Sequence, residues 1–207
     1  MLRKIIFSVI IIFSFSSCEL IEFLDYIYDE IENTNYDDFY YPDNEPESTP
    51  EPAPQNPDSI EYIQYKALEY AKMYCNEDTI YVYGAQDPIP KALRVDCSGM
   101  VINCYIYAVE NTKYELPFKD KYGNIDTTAA KLHSTYSYHT DTPQPGDMIF
   151  LGETNSSSVT HIGIFEKKVG NTIYFIDATD GKGVSQRSYD KSNSKIKGYG
   201  QIKLVQK

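Results

Sequence analysis

The tetrapeptide Asp96-Cys97-Ser98-Gly99 opens a stretch to Glu110 in which Val101, Tyr105 and Ala108 or Val109 recur at helical spacing. A cysteine at such a start sits at the positive end of the helix dipole. That favours the thiolate, the form that attacks a carbonyl carbon. Backbone N–H groups at the same helix start are available to hold an oxyanion. Asp96 reads first as the helix N-cap. Cys75 and Cys104 lie within apolar helical stripes instead and read as small buried hydrophobes.

A thiolate needs an imidazole partner, and the chain has three histidines. His133 and His139 lie in a polar stretch without periodicity and are expected at the surface. His161 opens His161-Ile162-Gly163-Ile164-Phe165, which leads through Lys168-Val169-Gly170-Asn171 into Thr172-Ile173-Tyr174-Phe175-Ile176-Asp177. A hairpin centred on Val169 sets His161 directly opposite Asp177, with Cβ atoms about 5 Å apart on one face. An acid among apolar residues is costly to bury without a partner, so Asp177 is expected to orient the imidazole. A solvated strand-end aspartate is the alternative.

These groups need elements to position them. Asp58 and Glu61 suggest a capping box for a helix from about Ser59 to Cys75, with Ile63, Ala67, Tyr70 and Tyr74 on one face. Cys97 to Glu110 is the second helix, and a short third follows Thr127. The pattern then changes to strands at Asp147–Leu151, Val159–Lys167, Thr172–Ala178 and Lys197–Val205. Helices followed by strands predict an α+β fold, with N-terminal helices packed on an antiparallel sheet.

The net charge of −11 is local. Thirteen acidic and no basic residues lie between Cys18 and Ser59, whereas the remainder to Lys207 carries seventeen of each. No concentrated basic surface is visible, which argues against nucleic acid as a partner. At the amino end, Arg3 and Lys4 precede an apolar run from Ile5 to Phe15, then Ser16 and Ser17 before Cys18. That reads as a signal peptide over residues 1–17, with Cys18 placed as in a bacterial lipobox and therefore lipidated. Export puts the remaining three cysteines in an oxidising compartment, where an odd number leaves at least one thiol unpaired within the chain. Residues 19–32 have the spacing of a short acidic amphipathic helix, and Tyr41 to Asp58 is dense in Pro, Glu and Asn. Residues 18–58 are thus expected to be an acidic, largely disordered tether, and 59–207 the folded domain. The cysteines lack the paired spacing of a zinc site and no phosphate-cradling loop occurs, so no metal or cofactor is expected.

Taken in order, Tyr81-Val82-Tyr83-Gly84, Asp96-Cys97-Ser98-Gly99, Pro145-Gly146-Asp147-Met148-Ile149-Phe150, His161-Ile162-Gly163-Ile164-Phe165 and Ile176-Asp177-Ala178 resemble the NlpC cell-wall peptidases. These are papain-like enzymes that cut peptidoglycan stem peptides. The resemblance runs from about Ser59 to Lys207. It implies a papain-like fold with Cys97 as nucleophile, His161 as general base and Asp177 as the third polar residue. Tyr81 matches the tyrosine lining the site, and Asp96 and Ser98 match residues that contact the substrate's amino end. The implied bond joins D-glutamate to the following diamino acid. A muramoyl-alanine amidase, a cross-bridge peptidase, an acyltransferase or a silent wall-binding lipoprotein are the alternatives. The implied partners are stem peptides and, through the lipid, a bacterial membrane, with a monomer expected. Two features depart from the family's pattern. The third polar position is commonly His, Asn or Gln, so an Asp makes the pair with His161 more anionic. The stretch from Ala85 to Val95 is longer than usual and would border the groove, where Lys91 or Arg94 would meet a substrate carboxylate unless the segment is an ordinary solvated loop.

Overall fold

Ser59 starts the first helix, α1 (Ile60–Cys75), in the computed structural model, which describes residues 53–120 and 122–207. Its hydroxyl accepts from the Tyr62 N–H at 3.1 Å. The cap is therefore Ser59 rather than Asp58, whose carboxylate accepts from the Lys113 N–H at 2.8 Å instead. Ser59 has the extended backbone that an N-cap requires, and Asp58 falls one residue too early. The expected signal segment, the Cys18 expected to be lipidated, the acidic stretch at 19–32 and the expected tether up to residue 52 lie outside the described residues.

The second helix, α2 (Cys97–Ala108), is shorter than expected, ending before Glu110. Most of its residues are buried rather than one stripe, because α1 covers one side and the sheet another. The third, α3 (Ala129–Ser134), is capped by Thr128. Two short pairs flank the helices. β1 (Ile80–Tyr81) runs parallel to β2 (Arg94–Val95), and β3 (Tyr114–Glu115) antiparallel to β10 (Val205–Gln206).

The main sheet contains β4 (Ser137–Thr140), β5 (Met148–Leu151), β6 (His161–Val169), β7 (Thr172–Thr179), β8 (Gly183–Asp190) and β9 (Ile196–Ile202). Their order is β4-β9-β5-β6-β7-β8, and every neighbouring pair is antiparallel. The expected α+β architecture is thus present, with β4 and β8 as strands beyond those anticipated. Period two divides the sheet's side chains between two clusters. Phe150, Ile162, Ile164 and Ile176 pack toward Ile63, Ala67, Met100 and Tyr105 of the helices. Ile149, Leu151, Phe165 and Phe175 form a smaller cluster on the opposite face with Tyr189 and Tyr199.

The Pro145-Gly146-Asp147 segment joins these layers. Buried Asp147 accepts from the Gln64 side chain at 2.6 Å and from the Gln144 N–H at 2.8 Å, while the Tyr105 hydroxyl donates to the Gly146 carbonyl at 2.6 Å. These bonds fix the entry of β5 against both long helices.

The β6–β7 hairpin has a different register from the one expected. Val169 pairs with Thr172 across a two-residue turn in which Gly170 takes φ +56°, a conformation that favours glycine. A bulge between Phe165 and Lys167 then moves the register by one, so that Ile164 pairs with Ile176. Continuing that pairing sets Gly163, not His161, opposite Asp177. His161 lies two residues further along. An even displacement keeps it on the same face, as a diagonal neighbour within side-chain reach.

Candidate active site

The start of α2 is built around one carboxylate. Asp96 Oδ1 accepts from the Gly99 N–H at 2.6 Å and from the Ser98 hydroxyl at 3.0 Å. Its Oδ2 accepts from the Gly84 N–H at 2.7 Å, which ties the Tyr81–Gly84 segment to the helix. The cap uses the N–H of Gly99 and the helix that of Met100. Those of Cys97 and Ser98, ahead of them, are the groups that a helix start leaves without an intrahelical partner.

Cys97 is 6 % exposed and lies on a groove of about 880 Å³. Tyr81, Asp96 and Ser98 line the same groove, joined by Asp120, Asp126 and Tyr136 from later segments. Burial, the charges of Cys97 and Asp96, and a hydrogen bond with the thiol push the Tyr81 hydroxyl up to about 12. Burial, followed by the charges of Asp96 and Asp120, raises the Asp126 carboxyl above its usual range.

His161 meets both other candidates. Its Nε2 lies 2.7 Å from Asp177 Oδ2. The Cys97 thiol is near enough to act on the same imidazole. Burial alone would lower the imidazole's proton affinity, but the bonds and charges of Asp177 and Cys97 outweigh it and raise the pKa to about 9. Asp177 is fully buried. His161 is not its only partner, because Arg187 of β8 donates from Nε to Oδ1 at 2.8 Å and from Nη2 to Oδ2. The pair with His161 is therefore less anionic than an aspartate alone would make it.

Other candidates fall away from the groove. Neither Lys91 nor Arg94 lines it. Arg94 forms a two-point pair with Asp87, and the Asp87 carbonyl accepts from the Asn103 side chain at 3.1 Å and the Tyr74 hydroxyl at 2.9 Å. The 85–95 segment is thus folded down on α2. His139 is exposed, while His133 is half-buried edge-on to Phe150, a contact between segments that local polarity did not reveal. Cys75 and Cys104 are free thiols. Burial pushes the first up to about 11 and the second well above its ordinary value, as suits inert core cysteines. Among the described residues, no group of three or more His, Cys, Asp or Glu is placed to hold a metal.

The family model described as NlpC/P60 matches residues 78–201, well over half of the chain. The chain belongs to the NlpC/P60 family. This family generally consists of cell-wall peptidases, usually cysteine peptidases, acting on peptidoglycan. The NlpC/P60 match spans Tyr81, Cys97, His161, Asp177 and Arg187, and α1 lies before it. Among solved structures, NlpC1 of Trichomonas vaginalis is 21 % identical over 69 % of this chain and 45 % of its own, with a TM-score of 0.45. NlpC2 of the same organism is 20 % identical over 70 % and 48 %, with a TM-score of 0.46. A Staphylococcus aureus protein described as similar to lipoprotein, of the NLP/P60 family, is 25 % identical over 69 % and 41 %, with a TM-score of 0.42. The chain spans less than half the length of each of these three. No curated protein matches it.

Proposed function

We propose that this NlpC/P60 chain is an exported peptidoglycan hydrolase that cleaves stem-peptide amide bonds through Cys97, His161 and Asp177. The observation that carries this reading is the chain of contacts from the thiol at the start of α2 through His161 to buried Asp177, beside an open groove. The Cys97 thiolate attacks the carbonyl carbon, and the N–H groups at the helix start hold the oxyanion. Imidazolium His161 gives its proton to the leaving nitrogen as the C–N bond breaks, leaving a thioester on Cys97. Water then attacks the thioester, His161 takes its proton, and the acid departs as the thiolate re-forms. Asp177 holds the imidazole in the orientation that serves both steps.

The bond is the one between D-glutamate and the following diamino acid. The groove's Asp96, Asp120 and Asp126 support an amine-bearing substrate, since a cation bound there offsets the burial and the neighbouring charges that raise Asp126. Tyr81 and Ser98 border the same space and complete the proposed binding set with Asp96. A lipid on Cys18 would hold the domain at a bacterial membrane, with residues 19–58 as spacer. Mass spectrometry of purified peptidoglycan after digestion tests the reading. It should find a new carboxyl on D-glutamate and a new amine on the diamino acid. A freed lactyl carboxyl or a severed cross-bridge would reassign the bond, and no released product would overturn the hydrolase.

A further inference from the structure

Asp177 has no exposed surface, and a buried carboxylate with an imidazole as its only partner would be costly to keep ionised. The structure supplies a second partner. Arg187 reaches both carboxylate oxygens, and Oδ2 is the atom that His161 also contacts. The guanidinium is itself held in place. It lies 5.3 Å from the Phe175 ring centroid and 5.6 Å from that of Tyr189, whose hydroxyl accepts from Nη1 at 3.4 Å.

We propose that Arg187 is a positioning residue of this site, whose two-point clamp fixes the Asp177 carboxylate toward His161 and cancels its charge. The inference rests on the cysteine peptidase reading. A guanidinium remains charged at every relevant pH, and its planar fork fixes the carboxylate plane in a way that a lysine ammonium does not. With the clamp in place, Asp177 orients the imidazole without the full pull of an unpaired anion on its proton. That leaves the proton available for a leaving amine.

Removing the cation must raise the proton affinity of the coupled His161–Asp177 pair, whichever of the two holds the shared proton. The other groups near this pair are few. Cys97 of α2 faces His161, and Glu153 and Lys195 share a small pocket with it. Cys75 of α1 feels the Asp177 charge and that of Glu166, and Tyr189 faces Arg187. None of these supplies a second contact to the Asp177 carboxylate comparable to that of Arg187.

The test is NMR titration of the three imidazoles in the full chain, with kcat and KM on a muropeptide, for wild type, Arg187→Met and Arg187→Lys. In Arg187→Met the His161 midpoint should rise by about one pH unit or more, with His133 and His139 unmoved as evidence of an intact fold. Its kcat should fall at least ~10-fold with KM nearly unchanged. Arg187→Lys should keep the midpoint close to wild type and recover part of kcat. An unmoved His161 midpoint in a folded Arg187→Met would overturn the proposal. If that variant does not fold, a wild-type kcat in Arg187→Lys would overturn it, because the fork would then be dispensable. The midpoint needs no substrate, so this failure is distinct from a wild type that cleaves no peptidoglycan.

Discussion

Gly163 lies across from Asp177 in the β6–β7 pair, and an ideal Cβ built on it would stand 3.0 Å from the Asp177 Cβ and 2.7 Å from the Ile176 carbonyl oxygen. The missing side chain lets the two strands approach while Asp177 leans toward the diagonal His161. Gly163→Ala should therefore push β7 away. Overpacking of this kind costs about 1–3 kcal/mol, or a melting temperature lower by roughly 2–10 °C. Turnover should fall at least ~10-fold, a larger effect than the stability loss alone explains. Thermal melts and kcat on the same preparation check both parts.

His161 links pH to stability. Its pKa rises from an ordinary 6.5 to about 9 in the fold, so its contribution is complete below pH 6.5 and is lost as pH rises through 9. The size is of order 3 kcal/mol. Melting temperature should decline between these values in wild type, and His161→Gln should flatten that decline. An equal slope in both proteins would assign it elsewhere.

The same titration limits activity at high pH. A leaving amine needs the imidazolium proton, so kcat/KM should hold through neutral pH and fall as pH passes about 9. A rate profile from pH 6 to 10.5 reads the limb directly. A fall centred near 6.5 would mean that His161 does not gain the support of Asp177 and Cys97.

Asp96 combines a cap with a wall of the groove. Asp96→Ala leaves the N–H groups of Gly99 and Gly84 without their acceptor, and loss of an N-cap costs about 0.5–2 kcal/mol. Denaturant unfolding should show that loss. KM for a substrate with a free amine should also rise, whereas a purely structural role would leave KM unchanged in the folded fraction.

The sequence revealed the helix start at Cys97, the strand opening on His161 and the acid at Asp177, because each carries a local pattern of caps or alternation. It did not reveal how the last two meet. The turn at Gly170 and the bulge after Phe165 displace the register by two, and their pairing survived because an even displacement preserves the face. Arg187 escaped notice for a related reason. It lies on β8, whose inward positions include Ser185 and Arg187 where an apolar alternation would have marked a strand. Arg187 is polar because it reaches Asp177, and that contact depends on strand pairing rather than on neighbours in the chain. The position of the 85–95 segment likewise follows from the buried Asn103 side chain, which local composition does not disclose.

Hydrolysis by this site depends on attack by the Cys97 thiol. Muropeptide release from purified peptidoglycan by equal amounts of folded wild type and Cys97→Ala tests it most directly. Wild type should release muropeptides, and the variant should lose at least ~10³-fold of that rate with its melting temperature nearly unchanged. Release by Cys97→Ala at the wild-type rate would contradict it.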